Sequence, residues 1–140
     1  MKYNLLDDTG DLGIEVKGED FSKLFENLGN SVYDIILKRE DVFISKVDRG
    51  VLKEDSLEDL LIKFSNMIIY KFECGRFVGK MVKVDFRRSK NFFVVYYKIF
   101  GERLDPSRHF IKNVLKAATY HNFEMFESKK YKKVKIYFDL

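Results

Sequence analysis

Apolar residues recur along this chain with two different spacings, and the order of those spacings constrains the fold more than any other feature. Leu12, Ile14 and Val16 alternate with Gly13, Glu15 and Lys17, the period of a half-buried strand. Gly18 ends that run, and Asp20 caps a helical stripe of Phe21, Leu24, Phe25, Leu28, Val32 and Ile35. Residues 41–53 read as a strand or hairpin with Gly50 as a bend. Asp55-Ser56 opens a second helix, with Glu58 or Asp59 placed to complete a capping box. Leu57, Leu60, Leu61, Phe64 and Ile68 form its buried stripe, and Gly75 stops it.

The strand period then returns. Val82, Val84 and Phe86 alternate with Lys83, Asp85 and Arg87, and Arg88-Ser89-Lys90-Asn91 turns the chain into residues 92–100. That run is apolar on both faces, which predicts a central strand covered on both sides. Leu115, Ala117, Thr119, His121, Phe123 and Met125 share one face of a further strand. In the last strand, Val134, Ile136, Phe138 and Leu140 face inwards. The order strand, helix, strands, helix, strands predicts an α+β domain over residues 1–140. Its two helices pack on a largely antiparallel (mixed) β-sheet.

Composition agrees with one packed core. The chain has 140 residues, 46% hydrophobic and 34% charged, which is globular rather than disordered. No apolar run approaches the ~18–20 residues of a membrane span, and the first residues lack the apolar stretch of a signal peptide. A cytoplasmic protein with no membrane partner is the expectation. The lone Cys74 falls at a helix C-terminus, where the dipole raises a thiol's pKa, so a catalytic thiol is not expected. A net charge of +4 permits contact with RNA without requiring it. Basic residues cluster at Arg87-Arg88-Ser89-Lys90 and Lys129-Lys130-Tyr131-Lys132-Lys133, both read as hairpin tips. No aromatic-rich RNA-recognition signature accompanies them.

Three places carry chemistry. Asp7, Asp8 and Asp11 lie within the run Asp7-Asp8-Thr9-Gly10-Asp11-Leu12-Gly13. Close-set carboxylates suit hard divalent cations, although the same residues are ordinary turn formers. At the other end, Asp139 and the α-carboxylate of Leu140 make a dense negative pair that calls for a cation or basic group nearby. If the first alternating strand lies beside the last, these acidic groups meet at one edge of the sheet. The third place is Lys116-Ala117-Ala118-Thr119-Tyr120-His121, where small neighbours leave Lys116 free to reach a phosphate or carboxylate. His121 falls on the apolar face by alternation, as a partly buried histidine. His109 follows Pro106 in a loop, and nothing in the sequence marks it further. Phosphate-cradling glycine loops, CxxC pairs and nucleophile elbows are absent.

Together these segments resemble the archease family. Asp7-Asp8-Thr9-Gly10-Asp11-Leu12-Gly13 is similar to the family's D-H-T-A-D-I-G opening. Leu57-Glu58-Asp59-Leu60-Leu61 with Asn66 and Tyr70 resembles its second helix. Gly101-Glu102, Asp105-Pro106 and His109 match a G-E-x-x-D-P-x-x-H stretch. Lys116 to His121 match K-A-V-T-Y-H, and Phe138-Asp139-Leu140 matches the F-D-aliphatic close. Asp8 stands where the family has His, Gly10 where it has Ala, Met67 where an acidic residue is common, and Phe110-Ile111 where Glu-Pro is frequent.

The resemblance implies a non-enzymatic activator of the GTP-dependent RNA ligase of tRNA splicing and RNA repair, and so an indirect link to tRNA or RNA. Such an activator promotes guanylylation of the ligase and its multiple turnover. The resemblance also implies a divalent ion, Ca2+ first, with Mg2+ or Mn2+ as alternatives. Its ligands would be Asp11, Asp139 and Leu140, with Asp8 as a further candidate. Lys116 carries over as the activating lysine, and Asp7 and His121 are candidates for partner contact. The alternatives are a stand-alone metal-dependent phosphohydrolase or nuclease, and an RNA-binding, chaperone-like module.

Overall fold

Both helices begin where the sequence places their caps. The Asp20 carboxylate accepts from the Lys23 N–H at 2.8 Å to start α1 (Phe21–Ile36), and the Ser56 hydroxyl accepts from the Asp59 N–H at 3.0 Å to start α2 (Leu57–Glu73). The structure, a computed structural model, describes residues 3–7 and 11–140, with Asp7 described by its backbone alone. Asp8, a candidate ligand, lies outside the described residues. The strands are β1 (Tyr3–Asp7), β2 (Leu12–Gly18), β3 (Lys46–Glu54), β4 (Phe77–Arg88), β5 (Phe93–Arg103), β6 (Ala117–Glu127) and β7 (Lys132–Asp139).

The α+β layout with two helices holds, and every described strand pairing is antiparallel. The strands divide into two sheets, ordered β1-β2-β7-β6 and β3-β5-β4. The helices pack against each other and against both sheets: α1 lies on β2 and β4, and α2 on β6 and β3. Phe25, Leu28, Val32, Leu60, Phe64 and Ile68 from the helices meet Ile14, Val95, Ile99, Ile136 and Phe138 from the sheets in one core. Each such side chain contributes roughly 1.5–3 kcal/mol through burial.

One edge of the three-stranded sheet is closed by the helix beside it. Ser22, Glu26 and Asn30, four residues apart on α1, accept the N–H groups of Phe86, Val84 and Val82 at 2.9, 2.9 and 3.0 Å. Four helical residues rise about 6 Å and two strand residues about 6.8 Å, so one helical row matches the free N–H groups of β4.

Several expectations are corrected. β1 was not anticipated: it is a five-residue strand with Leu5 exposed, and it is defined by its pairing with β2, not by alternation of its own. Gly50 does not bend the chain. It sits mid-strand opposite Tyr97, where a Cβ would collide with the Tyr97 phenol. Strand β5 is central, but only one of its faces is covered, and Tyr96 is exposed. In β6 the register with β7 slips between Thr119 and Glu124, where Asn122 adopts φ 54°. This bulge ends the simple alternation and leaves His121 exposed, not half-buried. Leu140 is also exposed, because the pairing of β7 ends at Asp139.

Candidate functional site

Strand register brings the two ends of the chain to one end of the four-stranded sheet. Leu12 of β2 pairs with Phe138 of β7, and Ala117 of β6 pairs with Asp139. Asp11 directly precedes Leu12 and Asp139 directly follows Phe138, so both stand at the same end of the β2–β7 ladder. On the other side, the Lys116 N–H donates to the Asp139 carbonyl at 2.8 Å, which places Lys116 beside Leu140. Asp7, at the end of β1, pairs with Leu12 at the same end. Residues directly opposite in an antiparallel pair have Cα atoms roughly 4.5–5.5 Å apart. Asp11 is half-buried, while Lys116, Asp139 and Leu140 are exposed. None of the ion pairs among the described residues engages Asp11, Lys116 or Asp139.

The backbone at this end is held by residues that sequence reasoning left without a role. Gly13 pairs with Tyr137, whose ring lies over it; an added Cβ would stand 2.6 Å from Tyr137 Cδ1. Asn66 of α2 acts as a surrogate strand. Its side-chain oxygen accepts the Ala118 N–H at 2.7 Å, and its amide donates to the Ala118 carbonyl at 3.3 Å. The Thr119 hydroxyl donates to the Tyr137 carbonyl at 3.1 Å. These bonds fix the first residues of β6, and with them Lys116. The motif matches at Asn66 and Gly13 were the available signal; their mechanism needs the tertiary fold.

His121 is not brought to this end. It lies in the bulge beyond the Thr119–Tyr137 pair, with its ring near the Asn122 amide. Tyr120 instead reaches α2, where its hydroxyl donates to Asp59 at 2.5 Å. That bond, together with desolvation, pushes the Tyr120 phenol up to about 12, and the same bond, with one from Ser56, lowers the Asp59 carboxyl.

His109, in the loop after Pro106, is buried. The Asp105 N–H donates to its Nδ1 at 2.9 Å, so the ring proton sits on Nε2, which donates to Glu102 at 3.0 Å. Arg108 grips the same carboxylate with two nitrogens, at 2.6 and 2.7 Å, and the Phe43 N–H adds a bond of 2.6 Å. The Arg108 hydrogen bonds lead in holding the Glu102 carboxyl well below the usual range, at about 2. This staple anchors the segment that runs from β5 to Lys116. Further along, Ile111 bridges Leu37, the Lys112 N–H donates to the Ile36 carbonyl, and the Asn113 amide donates to the Ile35 carbonyl.

No three His, Cys, Asp or Glu side chains among the described residues gather to hold a metal. The sheet end offers two side-chain carboxylates and the main-chain oxygens of Leu140. These are all hard oxygen donors, a chemistry that fits a hard divalent cation rather than a soft metal.

The archease protein family matches residues 3–140. Protein archease of Pyrococcus abyssi is 26% identical over 117 residues, covering 84% of this chain and 82% of its own. That of Sulfurisphaera tokodaii is 28% identical over 127 residues, covering 89% and 88%. The solution structure of Methanobacterium thermoautotrophicum protein 1598 superposes with a TM-score of 0.84 at 18% identity, covering 99% of this chain and 98% of that one. An archease from Thermotoga maritima, described as a possible chaperone, gives 0.61 at 17% identity, with 96% and 94% covered. At these identities the two structures speak for the fold alone. No described helix is long and apolar enough to cross a membrane. With the family match running along nearly its whole length, this chain belongs to the archease family.

Proposed function

We propose that this protein activates a GTP-dependent RNA ligase of tRNA splicing and RNA repair, promoting its guanylylation and repeated turnover. The carboxylate-bearing end of the four-stranded sheet is the part presented to the ligase. The observation that carries this reading is the register, which brings Asp11, Lys116, Asp139 and Leu140 to the ends of three strands at one end of the sheet. Asp11, Asp139 and the main-chain oxygens of Leu140 would hold a divalent ion, with Ca2+ favoured over Mg2+ or Mn2+. When bound, such an ion supplies positive charge that nucleotide phosphates or a carboxylate can share. Lys116 offers three donors to a phosphate or carboxylate of the partner. The "possible chaperone" description of the Thermotoga relative fits a helper protein, whose client on this reading is the ligase.

The test is ligase guanylylation with labelled GTP, measured with and without this protein. Stimulation that requires both proteins supports the proposal. GTP consumption by this chain alone would replace it with a stand-alone hydrolase, and an unchanged ligase would remove it.

A further inference from the structure

The open face of the three-stranded sheet is composed in rows. Strand register sets Val47, Phe100 and Met81 side by side, then Arg49, Lys98 and Lys83, then Val51, Tyr96 and Asp85, then Lys53, Val94 and Arg87. Both helices pack on the opposite face, and no described element covers this one. Tyr96 is 53% exposed and Val51 55%. An open trough of about 690 Å³ runs across it, walled by Arg49, Val51, Lys83, Asp85, Tyr96 and Lys98, with Glu26 also bordering it.

The second row is electrostatically unfavourable in isolation. Like charges directly opposite each other in a sheet repel, and here three cations stand abreast. None has an ion-pair or hydrogen-bond partner among the described residues. The nearest anion on the face, Asp85, is engaged by Arg87 at 3.0 Å. Glu26 is committed to the Val84 N–H and to Lys23. Three adjacent strands span roughly 10 Å, so the row presents a short line of positive charge. Tyr96 and Phe100 flank that line on the same strand, each about 7 Å from Lys98. Aromatic faces beside a line of cations match a chain that alternates flat bases with phosphates.

We propose that this sheet face binds single-stranded RNA. A base stacks on Tyr96, the phosphates lie along Arg49, Lys98 and Lys83, and Asp85, directly across from Tyr96, accepts a ribose 2′-hydroxyl. A duplex cannot engage in this way, because its bases are already stacked. The surface is distinct from the carboxylate end of the other sheet and from the basic hairpin tip at Lys129-Lys130, and it does not rest on the ligase reading.

Binding is measured without any ligase, by fluorescence anisotropy of a labelled 12-residue oligouridylate. Binding should weaken with salt with a log–log slope near −2, as expected for about three phosphate contacts. Tyr96→Ala should weaken it by roughly 5- to 150-fold, while Tyr96→Phe should keep it. Lys98→Glu should weaken it at least tenfold at low salt, with a melting temperature no lower than wild type, because the new carboxylate lies between two cations. Lys130→Ala at the hairpin tip should have little effect. Equal binding of oligodeoxythymidylate would overturn the assignment to RNA, and an unaffected Tyr96→Ala would reduce the face to a general polyanion attractor. If Lys98→Glu abolishes ligase stimulation while the wild type binds no RNA, the face docks an acidic protein surface and the proposal fails.

Discussion

Replacing Glu102 by Gln tests the staple that carries the chain from β5 to Lys116. The wild-type carboxylate is 10% exposed and accepts four hydrogen bonds, from Arg108 twice, from His109 and from the Phe43 N–H. Its carboxyl is held down from 4.5 to about 2, first by the Arg108 hydrogen bonds and against a desolvation that acts the other way. A carboxyl whose folded pKa lies below its unfolded one stabilises the fold above the unfolded value, and that stabilisation disappears as pH falls through the folded value. The interval from 4.5 to about 2 corresponds to on the order of 3 kcal/mol. Glu102→Gln should therefore lose about 3 kcal/mol at pH 7, or roughly 10 °C in melting temperature for a domain of this size. Between pH 4.5 and 2 the two proteins should converge, because the wild-type side chain becomes neutral as well. Urea or thermal unfolding across pH 2–7 measures both curves, and their difference cancels the other carboxylates common to both. A difference that stays constant down to pH 2 would show that the loss comes from packing and not from the ionised staple.

Three further outcomes follow from the geometry. Millimolar calcium should raise the melting temperature of the wild type, by about 2.7 kcal/mol of stability at a hundred times the dissociation constant, and Asp11→Ala should abolish both this rise and ligase stimulation while circular dichroism stays unchanged. A wild type that melts identically with and without metal would count against the site. Lys116→Ala should stay within about 0.5 kcal/mol of wild-type stability, as an exposed side chain does, yet cut ligase stimulation sharply; Lys129→Ala serves as the comparison, and equal small losses would make Lys116 an ordinary surface lysine. Alkaline titration at 295 nm should show Tyr3 and Tyr120 still protonated at pH 11, since both phenols lie near 12. Because those phenols ionise at lower pH in the unfolded chain, stability should fall as pH rises from 10 towards 12. Asp59→Asn should bring the Tyr120 phenol back down without moving Tyr3.

Local patterns were enough for the elements whose stability is local. Asp20 and Ser56 start helices because each side chain satisfies a free N–H of its own first turn, and the two apolar stripes bury as their spacing requires. The same reasoning failed where a neighbour decides the outcome. Gly50 has the composition of a bend, but Tyr97 of β5 occupies the space its missing side chain leaves. His121 has the parity of an inward residue, but it falls inside the register slip between Thr119 and Glu124, where simple alternation no longer holds. For His109 the motif match was legible but its role was not, because its partners, Glu102 and the Asp105 N–H, are assembled only when the loop closes. At the candidate site, alternation suggested a possible pairing of the first and last strands. Asp8 and the side chain of Asp7 lie outside the described residues.

The family motifs divide by what their side chains touch. Glu102 and His109 face each other in the staple, Asp105 organises its turn through Ser107, and Gly101 leaves room for the Val78 carbonyl. Asn66 completes the edge of β6, and Gly13 makes space for Tyr137. All of these side chains are spent on other parts of the same molecule, so replacing them should cost stability first and function only as a consequence. Asp11, Lys116 and Asp139 differ: they share one end of a sheet and have no ion-pair partner among the described residues. Neither side chain is buried or bound to the rest of the fold, so removing either should cost little stability. A substitution that leaves the protein as stable, or makes it more stable, while abolishing its effect on a partner is therefore the signature to seek at these three positions. The staple residues should show the opposite order of loss.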